Sequence, residues 1–391
     1  MKANHAMVHR IAPFANHLRK VNMVSAQMLV STPKRSYQLQ RLHVYDKGGR
    51  NSISGINATV FGGTSPLGVA IGSKLTAIGS TAIYPYRGQN TIWDDKFKEL
   101  KPTADLGYKA YVKLQDFTSQ KDLAHVIRDQ NVVVSVVGSK VYADNLKSFE
   151  DSNIHVPIAI AKAAAANPNV KRLIHISAAG ADPNSHSARL RTKWIGEQEV
   201  KQIFPNVTIL RPTYMFNDLD PIMTIAAKWG MQMKMFNRMN FVIKGMNSKV
   251  QPVQANDVAL AIYNCIKSED TMGKTYDLGG PYVYTYEEIY EHFFNLTEIK
   301  PYSVVIPLEK AYEYRQYEWY ESPIKKIFKQ WLHPEFMTIE AQDLVCSPDN
   351  LSFEDLGIKP VSFGHKAHHL VAEITWMYNS RDVSKRDTAN A

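Results

Sequence analysis

Between residues 57 and 212, short apolar runs bounded by turn residues alternate with longer segments whose apolar positions recur at helical spacing. The runs NATVFG (57–62), TAIYPYR (81–87), KAYVKLQ (109–115), NVVVSVVG (131–138), KRLIHIS (171–177) and VTILRP (207–212) predict six strands. Between them, PLGVAIGSKLTAIG (66–79), QKDLAHVIRDQ (120–130), VPIAIAKAAAANP (156–168) and TKWIGEQEVKQIFP (192–205) predict helices. Near-continuous apolar strands separated by amphipathic helices belong to a parallel sheet covered on both faces. The pattern therefore predicts an α/β fold with a doubly wound, mostly parallel sheet of Rossmann type.

Past residue 212 the rhythm weakens. MQMKMFNRMNFVIKG (231–245) is Met-rich and irregular, whereas ANDVALAIYNCIKSED (255–270) and YTYEEIYEHFFNLT (284–297) are helical in pattern. The expected organisation is a basic arm (1–45), a nucleotide-binding Rossmann domain (46–230), a smaller, mainly helical C-terminal lobe (231–380) and a disordered tail (381–391). No apolar run approaches the roughly 18–20 residues of a membrane-spanning helix.

The formal charge of +9 changes the picture only at the N-terminus. Residues 1–45 carry seven Lys/Arg and no acid, and the remainder is nearly balanced, with 39 basic against 37 acidic residues. A basic, acid-poor arm with Ser and small apolar residues is the composition of a mitochondrial presequence, with a basic disordered arm as the plain alternative. The two cysteines, Cys265 and Cys346, exclude a disulfide framework and a four-Cys metal site, and their usage fits a reducing compartment. Cys265, inside an apolar helical pattern, is expected to be buried as a small hydrophobe.

The stretch NATVFGGTSPLG is where chemistry enters. A dinucleotide loop needs a glycine for the turn after strand one, a small residue where backbone meets pyrophosphate, and a glycine where helix packs on strand. Gly62 suits the turn and Gly68 the packing; Ser65 stands at the middle position, with a hydroxyl that can donate to a phosphate. Pro66 fits the first helical position. Strand two ends without an acid, and Arg87 lies where a guanidinium would receive the 2′-phosphate of NADP, so NADP(H) is expected over NAD. Asp116, after strand three, is placed to approach the adenine.

This layout resembles the short-chain dehydrogenase/reductase superfamily. The resemblance implies a Ser at the end of strand five, matched by Ser177, and a Tyr-x-x-x-Lys pair, of which Lys193 matches the lysine. Arg189 occupies the tyrosine position, and an arginine cannot shuttle protons at neutral pH. A narrower resemblance lies in GGRNSISGINATVFGGTSPLG (48–68), ILRPTYMFND (209–218), VQPVQANDVALAI (250–262), GKTYDLGGPYVYTYEEI (273–289) and FEDLGIKPVSF (353–363). These stretches resemble the nucleotide-binding accessory subunit family of mitochondrial respiratory complex I, alpha-subcomplex subunit nine. That family implies a non-catalytic protein on the matrix side of the inner membrane. It would hold NADPH tightly and support assembly where matrix and membrane arms meet.

On this resemblance the nucleotide residues are Gly62, Thr64, Leu67, Arg87, Asp116 and Lys193, with Ser65, Gly68, Gly138, Ser177 and Pro212 completing the candidate set. No metal site and no nucleic-acid partner are expected. An active NADP-dependent reductase or epimerase, and a free NADPH sensor, remain the alternatives. The aromatic stretch 306–332, with Lys325, Lys326 and Lys329, suits a protein interface or anionic lipid, against ordinary intramolecular packing.

Overall fold

The structure is a computed structural model and describes residues 54–87, 107–139, 146–216, 239–244, 248–296, 302–307, 335, 338–339 and 341–367. The basic arm, the segment 231–238, most of the aromatic stretch (308–332) and the C-terminal tail lie outside the described residues.

The first half of the chain runs β1 (Asn57–Phe61), α1 (Pro66–Ala77), β2 (Thr81–Arg87), β3 (Tyr108–Leu114), α2 (Gln120–Val126), β4 (Val132–Ser135) and α3 (Leu146–Glu150). A π-helical turn (Asp151–His155) joins α3 to α4 (Val156–Ala166), followed by β5 (Arg172–Ile176), α5 (Ala188–Ile203), β6 (Thr208–Pro212) and β7 (Met215–Phe216). Then come β8 (Met239–Lys244), β9 (Lys249–Val250), β10 (Val253–Gln254), α6 (Ala255–Lys267), β11 (Thr275–Leu278), β12 (Tyr284–Thr285), α7 (Tyr286–Leu296) and β13 (Tyr302–Pro307).

Seven strands form one parallel sheet in the order β11-β6-β5-β4-β1-β2-β3. The strand order reverses between β1 and β4, which is where doubly wound sheets bind ligands at the strands' C-terminal ends. The six predicted strands are all present. The seventh, β11, returns to the sheet 63 residues after β6 ends, beyond reach of a local pattern.

Alternate residues of the strands feed two cores. Val60, Val134, Ile174 and Leu210 pack with Leu67, Ile71 and Leu75 of α1 and with Val258, Ile262 and Cys265 of α6. Phe61, Val133, Leu173 and Ile209 pack on the opposite side with Leu123 of α2, Ile160 of α4 and Val200 of α5. Each such buried aliphatic side chain contributes about 1.5–3 kcal/mol by leaving water. Cys265 is fully buried, and that burial pushes its thiol up to about 12. Arg172, at the start of β5, donates to the carbonyls of Cys265 and Ser268 and so satisfies the C-terminal end of α6.

Beyond the sheet, β7 pairs with β10, β9 with β12 and β8 with β13. With α7 and the chain near Leu344 and Phe363, the first two pairs enclose a third core. Among the described residues no helix is long and apolar enough to cross a membrane.

Candidate functional site

The glycine loop is built as a sharp strand-to-helix turn. Gly62 adopts φ +85°, and a Cβ there would stand 3.0 Å from the Val136 carbonyl at the end of β4. A Cβ on Gly68 would meet the Gly62 carbonyl at 2.5 Å, so α1 can approach β1 only with glycine at this position. Ser65 is the N-cap of α1 in extended backbone, which a serine adopts without strain. Its hydroxyl donates to the Gly62 carbonyl (2.7 Å) and accepts from the Gly68 N–H (3.1 Å). The donor expected to reach a phosphate is thus already committed within the turn. Pro66 opens the helix, Thr64 is exposed, and the Leu67 side chain lies in the core, leaving only its main chain to face a ligand.

The same sheet edge gathers Gly138, Ser177, Pro212 and Lys193. Lys193 extends from α5 and donates to the Val137 carbonyl (3.1 Å) and the Ile176 carbonyl (2.9 Å), bridging the ends of β4 and β5. Gly138 lies over its ammonium: a Cβ there would be 3.0 Å from Nζ. Burial, then the neighbouring Arg189 charge, draws Lys193 down to about 7, against the pull of Glu197. Ser177 follows β5; its N–H donates to the Leu210 carbonyl, while its buried hydroxyl has no hydrogen-bond partner among the described residues. Pro212 ends β6, and its carbonyl accepts from Ala179.

Two expected contributors differ in kind. Asp116 follows β3, but its carboxylate accepts from the N–H (2.8 Å) and hydroxyl (2.7 Å) of Thr118, which hold it below the usual carboxylate range. Arg87 is the last residue of β2, in register with Leu114; its side chain lies outside the described residues.

Arg189 is in the first turn of α5, one turn before Lys193. This helix starts at Ala188, four residues before the apolar pattern predicts, because two groups cap it. Ser187 accepts from the Leu190 N–H (3.1 Å), and the Glu335 carboxylate accepts from the Ser187 hydroxyl, the Arg189 N–H (2.9 Å) and the Ala188 N–H (3.3 Å). Burial lowers the Arg189 guanidinium from its ordinary range, opposed by the Glu335 charge.

Sequence reasoning missed Glu335, which no local pattern marks. It also missed Asn153 in the π-helical turn, whose amide donates to Thr192 Oγ1 (2.9 Å) and whose carbonyl lies against Gly196 of α5. Behind the site, the fully buried Glu197 carboxylate accepts two hydrogen bonds from Arg211 (2.6 and 2.9 Å) and one from Lys201 (3.0 Å). His175, buried on β5, has neither ring nitrogen hydrogen-bonded to any of the described residues. Burial and then the Lys193 charge draw it down to about 3, against Glu197. Among the described residues, no cluster of His, Cys, Asp or Glu could hold a metal ion.

A seven-stranded parallel sheet with a glycine turn at its switch point has the layout of a Rossmann fold. Residues 101–269 match a protein family described as NAD(P)H-binding. The fold is shared with a UDP-glucose 4-epimerase from Thermotoga maritima, solved with UDP-glucose: TM-score 0.61, 13% identity, covering 83% of this chain and all of that one. Among curated proteins, the chain is 33% identical to the Arabidopsis thaliana mitochondrial NADH dehydrogenase (ubiquinone) 1 alpha subcomplex subunit 9, over 80% of this chain and 76% of that one. It is 31% identical to the Neurospora crassa mitochondrial NADH-ubiquinone oxidoreductase 40 kDa subunit, over 83% and 81% respectively. The chain belongs to the family of NADH dehydrogenase (ubiquinone) 1 alpha subcomplex subunit 9.

Proposed function

We propose that this protein is a non-catalytic accessory subunit of mitochondrial respiratory complex I, holding one NADPH as a structural cofactor on the matrix side of the inner membrane. The observation that carries the reading is family membership over most of the chain, combined with Arg189 at the position where a proton-shuttling tyrosine would stand. The glycine turn suits a dinucleotide loop, because Gly62 takes the left-handed turn at φ +85° and Gly68 lets α1 approach β1. Main-chain N–H groups of Thr64 and Leu67, at the positive end of α1, would meet the pyrophosphate. Arg87 would take the 2′-phosphate, Asp116 the adenine, and Lys193, beside Gly138 and Ser177, the nicotinamide ribose. Pro212 would border the nicotinamide.

NADPH is by itself a hydride donor, and Arg189 stands at the position where an acid would deliver the accompanying proton. Arg189 does not release a proton near neutral pH, and Lys193 is engaged with two carbonyls. Bound nucleotide would instead bridge the two sides of the sheet edge and stabilise their arrangement. The partners on this reading are complex I subunits at the junction of matrix and membrane arms, with anionic lipid as a further contact.

The test is native-gel migration of the endogenous protein from detergent-solubilised mitochondria, followed by nucleotide analysis of the excised complex. Comigration with the NADH dehydrogenase activity band, and recovery of NADPH after extensive washing, are the expected results. A small band separate from that activity would overturn the assignment.

A further inference from the structure

Polar side chains line up where the end of β5 faces α5. Along β5, Leu173 packs on the α5 side and Ile174 and Ile176 on the α6 side, so His175 and Ser177 belong to the α5 side. Ser177 keeps this alternation because its N–H extends the ladder to the Leu210 carbonyl at 2.8 Å. On α5, Arg189, Lys193 and Glu197 stand four residues apart and share one face. Two strand residues rise about 6.6 Å and four helix residues about 6 Å, and α5 runs back antiparallel to β5. The two columns therefore match step for step. His175 stands beside Lys193 and Glu197, whose charges act on it. Lys193 Nζ, on the Ile176 carbonyl at 2.9 Å, fixes the level of the next step, which brings Ser177 beside Arg189 and Lys193. At that step two groups are left over: Ser177 Oγ, on a residue only 3% exposed, and Arg189 Nε are both buried with no hydrogen-bond partner among the described residues. Leaving a buried donor unpaired costs about 1–3 kcal/mol, more for a charged one.

We propose that Ser177 and Arg189 form a binding site for a small carboxylate, seated at the end of β5 beside Lys193. The Arg189 Nε–H donates to one carboxylate oxygen and the Ser177 hydroxyl to the other, which gives both leftover donors a partner. Lys193 has spent two of its three N–H groups on carbonyls and adds positive charge at the same step. The nearby acids do not cancel this charge. Glu197 is taken up by Arg211 and Lys201, and Glu335 is bonded to the main chain of Ala188 and Arg189 and to the Ser187 hydroxyl. Because the Glu335 charge also acts on Arg189, a monoanion suits the site better than a dianion. A tyrosine at position 189 would offer a single neutral hydroxyl, so the preference for an anion comes from the arginine. The placement of this site next to the nicotinamide rests on the nucleotide reading above, whereas its carboxylate chemistry does not.

The test is saturation-transfer NMR on the full-length chain, titrated at constant ionic strength with acetate, with its neutral isostere acetamide and with sulfate. Wild type is expected to bind acetate saturably and acetamide not at all. Arg189→Gln should weaken acetate binding about tenfold, through loss of a charge-assisted bond, and Ser177→Ala about fivefold, through loss of a neutral one. No saturable acetate binding, or equal affinity in wild type and both variants, would overturn the site. Sulfate binding more tightly than acetate would overturn the carboxylate class. Repeating the titration with NADPH bound tests the placement: retained acetate binding supports a site beside the nicotinamide, and displacement of acetate overturns that placement. A chain that binds acetate but no NADPH would overturn the nucleotide reading and leave the carboxylate site standing. If Arg189→Gln does not fold, Ser177→Ala carries the comparison.

Discussion

Glu197 has no accessible surface on its side chain and is kept ionised by specific partners. Burial favours its protonated form, but the paired Arg211 bonds and charge, with Lys201, outweigh that and hold it below the usual range. A carboxyl depressed in the folded state contributes stability above its unfolded pKa, about 4.3, and loses it as pH falls through the folded value. Glu197→Gln should therefore cost about 3–5 kcal/mol at pH 7, since it leaves Arg211 with a weakened partner in the interior. Urea denaturation from pH 7 down to pH 3 should show the gap between variant and wild type closing in the acid range. Lys193 acts elsewhere on the scale. Its folded value of about 7 lies below the unfolded 10.4, so between them the unfolded chain binds more protons and stability rises with pH. His175, drawn down to about 3, loses stability across the acid range in both proteins, so the narrowing gap between variant and wild type, rather than the fall itself, reads Glu197. Nothing in TKWIGEQEV marked this glutamate as buried; only its meeting with Arg211, 14 residues on, makes burial tolerable.

At the scale of elements, the start of α1 is decided by Ser65. Its hydroxyl accepts from the Gly68 N–H and donates to Gly62, so it holds the turn and caps the helix together. Ser65→Ala should destabilise the fold by about 1 kcal/mol, within the usual 0.5–2 for a lost N-cap. Ser65→Gly should cost only a few tenths, because glycine serves both as a cap and as the residue the dinucleotide motif prefers. Equilibrium denaturation of the two variants checks this. Equal large losses from both would show that the Gly62 bond, rather than the cap, dominates. The glycine turn, proline and helix were legible because all three requirements fall within seven consecutive residues. The start of α5 was not, because SHSARLR shows no apolar period and its capping carboxylate comes from 146 residues away.

At the scale of the molecule, a ligand bound far above its dissociation constant stabilises the native state by RT ln(1 + [L]/Kd), about 4 kcal/mol at a thousandfold excess. On the proposed function, NADPH should raise the thermal midpoint of the full chain markedly and NADH much less. Arg87→Ala should narrow the difference by removing the partner of the 2′-phosphate. Equal shifts from both nucleotides would remove the NADP preference. Such stabilisation has a structural route, since the sheet edge gathers groups from β1, β4, β5, β6 and α5 that are otherwise joined mainly through the sheet.

By itself the sequence determined the strand–helix rhythm, the doubly wound parallel sheet and the glycine turn. Each is written in local periodicity or in short motifs, because burial on alternate faces and close backbone approach act on neighbouring residues. Tertiary structure alone decided that β11 re-enters the sheet beside β6, that α6 covers α1's side of it, and that Glu335 reaches the first turn of α5. It also decided that Lys193 spends its hydrogen bonds on two strand ends and that Glu197 is buried with Arg211. Those outcomes pair groups far apart along the chain. Their energies come from desolvation and charge matching, which exist only once the partners have met.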